Sequence, residues 1–195
     1  MFRDNNAFRF EIVKNRQALL LELRSIDELG THTDSISDWS IIVTRIGVQE
    51  SIMTYPEQFI APMRADLTRY GVEEARTPAD VDRLLAPGSG TVLMVVNSIC
   101  GCAAGKARPA IGLALQHAAR PSKVATVFAG GDEAAVAHVR ALLSDYPPSS
   151  PSAAIFDNGK PVFMLHRGEI ERRDAAQIAK LLTDAFDRFC VPAHR

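Results

Sequence analysis

Apolar residues return at helical spacing through "TYPEQFIAPMRADLTRYG", with Pro56 early, Glu57 in the first turn and Gly71 as a stop; the pattern predicts a helix. In "TPADVDRLLA" Thr77 is placed to cap, Pro78 takes the first helical position and Asp80 completes a box-like pattern, so a second helix is expected. Gly88 and Gly90 then break the chain. "TVLMVV", Thr91 to Val96, is a short continuous apolar run that reads as a strand buried on both faces. "AAGKARPAIGLALQHAA" resumes helical spacing around Pro109, where a kink is expected because proline has no N–H to donate. "KVATVFA", Lys123 to Ala129, is a second buried strand, and "GGDEAAVAHVRALLSDY" is a helix with Asp132 as its expected cap. "PSAAIFDNGKPVFMLH" reads as a hairpin closed by Asn158-Gly159, the pair that a tight primed turn favours. The last helix, "DAAQIAKLLTDAFDRFC", starts at a cap on Asp174 and sets Ile178, Leu182, Ala185 and Phe189 on one face.

From Met53 the order is thus helix, helix, strand, helix, strand, helix, strand, strand, helix. A strand joined to the next through a crossover helix forms a parallel, right-handed unit, and the hairpin adds antiparallel strands. The expected class is α/β, with a mixed four-stranded sheet and added N-terminal helices. Residues 1–52 look different: they hold no cysteine and no proline, more acid than base, and the only tryptophan, Trp39. Within them "NRQALLLELRSI" suits a helix and "WSIIVTRI" a strand, but neither carries recognisable chemistry. The organisation expected is an N-terminal extension over 1–52 and one domain over 53–195. Met53 is the candidate initiator, and an appendage packed on the domain is the alternative.

Composition narrows the function classes. Of 195 residues, 47% are hydrophobic and 23% charged, which are globular values, so one substantial core is expected. A net charge of -1 with no lysine- or arginine-rich block lacks the electrostatic footprint of a nucleic-acid or membrane-surface binder. No apolar run approaches the roughly 18 residues of a spanning helix, and the N-terminus has no signal-like core. A cytoplasmic location is expected. There structural disulfides rarely persist, and a close cysteine pair points to redox or metal chemistry.

That pair is Cys100 and Cys102 in "NSICGCAAGKARPA", between the first strand and its helix. Loops at the carboxyl end of a parallel strand form the usual functional crevice. A helix start offers unpaired N–H groups and partial positive charge, which stabilise a thiolate below the free value of about 8.5. Two cysteines one residue apart reach disulfide geometry only through a bent backbone, and Gly101 between them is expected to permit it. The closed ring should be strained and should yield its disulfide readily. Two other readings stand beside this one. The cysteines can be small turn residues, or two ligands of a metal site, although a structural zinc needs about four and His117, His138 and His166 lack ligand spacing. No metal is expected. Lys106 and Arg108 are candidates to lend positive field, weighed against solvated charges on an exposed helix. Asn97 and Ser98 are candidates to cap that helix or to hydrogen-bond a sulfur.

"NSICGCAAGKARPA", together with "VFAGGDEAAVAHVR", "YPPSSPSAAIFDNGKPVFMLHR" and a helix ending in "FDRFC", closely resembles the bacilliredoxin family. The resemblance extends from Met53 to Cys190 and includes "YPEQFIAPMRADLTRYG" and "RTPADVD". It implies a thioredoxin-like three-layer sandwich with a C-G-C active site, and thiol–disulfide exchange on client proteins that carry a bacillithiol-like mixed disulfide. In that reading Cys100 attacks, takes the small thiol and frees the client, and Cys102 or an external thiol resolves the adduct. The small thiol is a co-substrate, served by its own reductase, and no bound cofactor is implied. Gly101, Ser150 and Pro151 are the implied substrate-contacting positions, with Pro151 as a cis-proline facing the pair and Ser150 offering its backbone to a client strand. Cys190 matches a C-terminal cysteine of the family and is either a buried inert thiol or a candidate third redox partner. The resemblance also implies a histidine-containing segment where this chain has "RGEIER", Arg167 to Arg172. A disulfide isomerase or oxidase using the same cysteines is the nearest alternative, and a non-catalytic binding or metal-sensing module is the alternative of another class.

Overall fold

The computed structural model describes residues 54–190. The helix and strand expected before Met53, the extension over 1–52 and the start at Met53 lie outside the described residues. Helix α1 (Glu57–Thr68) ends shortly before the turn at Gly71, whose φ of 79° suits glycine. A two-residue strand β1 (Glu73–Glu74) comes next, then α2 (Pro78–Leu85). The expected box is present in α2: Thr77 Oγ1 accepts from the Asp80 N–H at 3.2 Å and Asp80 accepts from the Thr77 N–H at 3.0 Å.

Strand β2 (Thr91–Asn97) leads into helical backbone from Gly101, a π-helical turn Ala103–Ala107 and helix α3 (Arg108–Ala114). Then come β3 (Lys123–Phe128), α4 (Glu133–Leu142), the hairpin β4 (Ser152–Asp157) and β5 (Lys160–Leu165), a short α5 (Arg167–Glu171) and α6 (Ala175–Phe189). The hairpin turns on Asn158 at φ 48° and Gly159 at φ 81°, the conformations that its sequence calls for.

The sheet order is β1-β3-β2-β4-β5. β2 runs parallel to β3 and antiparallel to β4, and β5 is antiparallel to β4. Strand, helix, strand, helix, hairpin, helix in this order is the thioredoxin-like arrangement. The sheet has five strands rather than four. The extra one, β1, adds parallel to β3 through Glu73 and Glu74, two residues too few to show a period and of a type depleted in strands. "RGEIER" carries a helix, α5, that the hydrophobic pattern does not predict, its entry secured by Glu169, whose Oε2 accepts from the His166 N–H at 3.2 Å.

Alternation along β2 explains why the sheet is covered on both sides. Leu93 and Val95 enter one core with Ile111 of α3 and Ile178, Leu182 and Phe186 of α6. Val92, Met94 and Val96 enter the other with Val81 and Leu84 of α2 and Val136 and Val139 of α4. Each such side chain contributes about 1.5–3 kcal/mol relative to exposure, which makes β2 a firmly held strand and a rigid support for the cysteine turn at its carboxyl end. Among the described residues no helix is long and apolar enough to cross a membrane.

Candidate functional site

The site grows from the carboxyl end of β2. Asn97 and Ser98 are buried there, so their polar groups need partners. The Asn97 carboxamide supplies several: its Nδ2 donates to the Met63 carbonyl at 3.3 Å and its Oδ1 accepts from the Ser98 N–H at 2.9 Å. Asn97 therefore ties the strand end to α1 and does not cap the helix. Ser98 turns its hydroxyl to within 3.3 Å of Cys100 Sγ, the sulfur contact named as one of its two candidate roles.

Cys100 stands at the start of the helical segment. The Ala103 N–H donates to Cys100 Sγ at 3.3 Å and to the Cys100 carbonyl at 3.0 Å, so the sulfur sits where a capping oxygen sits in other helices. Cys100 and Cys102 are joined as a disulfide with Cα atoms 5.4 Å apart, inside the usual span. Both cysteines are half-buried and Gly101 is exposed between them. The reason expected for Gly101 does not hold. Its φ is not positive, its backbone is helical, and a Cβ built there meets nothing within 4 Å. The helical backbone at residue 101 brings the cysteines together, and other L residues adopt that backbone freely.

Pro109 follows closely on the π-helical turn. Its ring would crowd the carbonyl four residues back, and the strain is relieved just before it: the Arg108 N–H reaches five residues back to the Ala103 carbonyl, so the ladder has already shifted where proline enters. The inserted residue also rotates the helix beyond it. Arg108, expected on an exposed face, is turned inward and is 3% exposed. Its Nη1 donates to the Ser98 carbonyl at 3.0 Å and to Asn97 Oδ1 at 3.2 Å, and its Nε to Asp66 Oδ2 at 3.1 Å. Burial pulls the Arg108 pKa down, and Asp66 opposes this. Lys106 instead donates through Nζ to the Glu171 carbonyl at 2.5 Å, at the end of α5. Five-residue turns leave no trace in a hydrophobic pattern; an arginine between Ala107 and Ala110, both buried, is the one sign of it in the sequence.

Pro151 lies after a cis peptide bond from Ser150. Because Val96 pairs with Ser152, Pro151 falls opposite Asn97, beside the turn that carries Cys100. The Arg167 side chain donates to the Ser150 carbonyl at 3.3 Å and its N–H to Ser149 Oγ at 2.8 Å, a contribution of "RGEIER" that nothing in its sequence signals. Asp132 also differs from expectation. It occupies the cap position of α4 but makes no capping bond, because its carboxylate accepts from Arg64 at 2.7 and 2.8 Å and from the Phe128 N–H at 2.9 Å.

Cys190 is not brought to the pair. It is buried at the end of α6, against Thr91 and Asp157 at the opposite end of β2, about 20 Å of strand away. Burial pushes its thiol pKa up; Thr91 opposes this and Asp157 adds to it. The folded, reduced protein should therefore leave Cys190 unlabelled by iodoacetamide at pH 8 while the other two cysteines react, with labelling appearing only in denaturant. Rapid modification of Cys190 in the folded state, read by peptide mass, would refute this. Of the histidines weighed as ligands, His117 pairs with Asp187 at 2.7 Å, His138 with Asp82 at 2.6 Å, and the His166 ring centre lies 5.8 Å from that of Tyr146. Among the described residues no three of His, Cys, Asp and Glu gather as a metal-holding group.

Comparison with known proteins gives the family. A family model described as disulphide isomerase matches residues 55–190. A bacilliredoxin of Koribacter versatilis is 50% identical over 136 residues, 70% of this chain and 94% of that one. One from Salinibacter ruber is 46% identical over 140 residues, 71% and 81% of the two chains. The solution structure of the oxidised thioredoxin from Plasmodium falciparum aligns with a TM-score of 0.41 at 14% identity, over 62% of this chain and 99% of that one. With a matched family model over most of its length and relatives at this identity, the chain belongs to the bacilliredoxin family and is a thiol–disulfide oxidoreductase.

Proposed function

We propose that the protein removes low-molecular-weight thiols of the bacillithiol type from S-thiolated client proteins in the cytoplasm, with Cys100 as nucleophile and Cys102 as resolving thiol. The observation that carries the reading is Cys100 Sγ at the helix start, with the Ala103 N–H and the Ser98 hydroxyl on it and Cys102 within bonding reach. In the reduced protein the Cys100 thiolate attacks the small-thiol sulfur of the mixed disulfide. A Cys100–small-thiol disulfide forms, the bond to the client breaks, and the client leaves as a thiolate that takes a proton from water. The Cys102 thiolate then attacks Cys100 Sγ and expels the small thiol as its thiolate. Two electrons have passed from the dithiol to the mixed disulfide, and the pair ends as the disulfide seen in the structure. Further small thiol, kept reduced by its own reductase, returns the pair to the dithiol.

Ser150 and Pro151 border the approach to Cys100, and a client strand pairing at Ser150 takes the place of Arg167 on that carbonyl. A disulfide isomerase or oxidase role for the same cysteines is supported by the description of the matched family model. Attack of Cys100 on a client disulfide, rather than on a small-thiol adduct, is the first step it needs.

The test is a Cys102→Ala protein, reduced and mixed with a client carrying a bacillithiol adduct. Intact mass should show one small thiol bound, and peptide mapping should place it on Cys100. An adduct on Cys190 alone, or none while the client is freed at the parent rate, would overturn the role assignment. Covalent capture of the client itself would favour the isomerase reading.

A further inference from the structure

The buried charge nearest in bonding to the reactive sulfur is Arg108, and its polar contacts aim it at the turn that carries Cys100. Its Nη1 holds the Ser98 carbonyl at 3.0 Å and Asn97 Oδ1 at 3.2 Å. Ser98 in turn sets its hydroxyl 3.3 Å from Cys100 Sγ. The carboxylate on Arg108 is Asp66, at 3.1 Å from Nε. The two partners differ in their access to water: the Arg108 side chain is 4% exposed and that of Asp66 37%. Water and salt therefore screen the negative charge better than the positive one, and the field left at the turn is positive.

The other charges on elements around the turn have partners other than Cys100 and Ser98. Arg69 of α1 lies beside Asp66, Lys106 is on the Glu171 carbonyl, and Arg167 of α5 is on Glu171 and Ser150. Glu169 of α5 serves the His166 N–H, and Arg64 holds Asp132 beyond the end of β3. Helix α6 turns Ile178 and Leu182 inward.

We propose that Arg108 is the positioning residue of the active site: it fixes Ser98 against Cys100 and stabilises the Cys100 thiolate through its buried charge, with Asp66 as the counterweight. This rests on Cys100 being the attacking thiol. A guanidinium serves both purposes because its rigid fork holds Ser98 and Asn97 on Nη1 and Asp66 on Nε at once while staying charged at every working pH.

The experiment measures the pH dependence of Cys100 alkylation by iodoacetamide, read by peptide mass, in the reduced full chain with Cys102→Ser. Arg108→Met should move the midpoint up by about one pH unit, about tenfold less thiolate well below the midpoint. Arg108→Lys keeps the charge without the fork and should recover part of the shift. Asp66→Asn keeps an acceptor for Nε but removes the opposing charge, so its midpoint should move down. A purely structural role for Arg108 does not produce shifts of opposite sign. An unchanged midpoint in Arg108→Met, or an unchanged or raised midpoint in Asp66→Asn, would overturn the assignment; if Arg108→Met fails to fold, Asp66→Asn decides alone. A parent midpoint at the free-thiol value of about 8.5 would instead remove Cys100 as the activated thiol.

Discussion

Replacing Cys100 by serine is expected to lower the rate of the proposed client dethiolation by at least about a thousandfold, whereas replacing Cys102 by serine should cost far less when external thiol is supplied. The asymmetry comes from position. Cys100 Sγ receives the Ala103 N–H and the Ser98 hydroxyl, and a serine oxygen placed there is not ionised at neutral pH and does not attack sulfur. In the proposed cycle Cys102 is needed only after the first exchange, and a small thiol from solution can take its place. Ionisation alone is not the main gain from the helix start. For any thiol lowered by about two units from about 8.5, the thiolate fraction at pH 7 rises about 25-fold while intrinsic nucleophilicity falls about eightfold, a net gain of about threefold. In the proposed cycle the larger benefit comes when a small thiol opens the oxidised pair by attacking Cys102 and the Cys100 sulfur, stabilised as a thiolate at the helix start, is the one displaced. The check is a dethiolation assay of parent, Cys100→Ser and Cys102→Ser across external thiol concentrations. Equal losses in the two variants at saturating thiol would contradict the assignment of roles.

The parts of this site that the sequence makes legible are those built from neighbours in the chain. The Thr77–Asp80 and Asp174–Gln177 boxes, the Asn158-Gly159 turn and the apolar run of β2 each depend on residues close to one another along the chain, and the caps, turn and strand expected there are present. The placement of the cysteines at the end of β2 rests on these. What the pattern hides is of two kinds. Elements too short to show a period, β1 and α5, leave no helical or strand signature. Polar side chains whose partners lie far along the chain give a false local signal. Asp132 looks like a cap because its neighbours are helical, but its partner Arg64 is 68 residues away. Arg108 looks like a surface charge because the five-residue turn that rotates it inward leaves no mark in the hydrophobic period, only an arginine set between small apolar residues. Gly101 shows the converse error: its identity suggests a conformational need, and the backbone there has none.

The Arg64–Asp132 pair is also where the largest loss of stability is expected. Arg64 on α1 and Asp132 at the start of α4 have side chains 4% and 5% exposed, and their two hydrogen bonds run in the forked geometry that arginine favours. Burial works against the Arg64 charge, and Asp132, Glu57 and Glu74 outweigh it. Asp132→Ala leaves a buried guanidinium facing only the more exposed Glu57 and Glu74, and also strips the Phe128 N–H of its side-chain acceptor. A loss of about 3 kcal/mol is expected, the lower end for a broken buried pair because those two carboxylates remain in reach. Arg64→Met should cost about as much, since it strands the carboxylate. The double variant Arg64→Met/Asp132→Ala leaves no unpaired charge and should cost less than the two single losses added, with a coupling of about 2 kcal/mol. Urea unfolding of the four proteins measures this, and additive losses would mean the pair contributes nothing as a pair. Exchange per folded molecule should stay within about twofold in all four, because neither residue hydrogen-bonds to Cys100, Ser98 or Asn97. A collapse of exchange in a folded Asp132→Ala protein would show instead that the ion pair belongs to the redox site and not only to the frame that carries it.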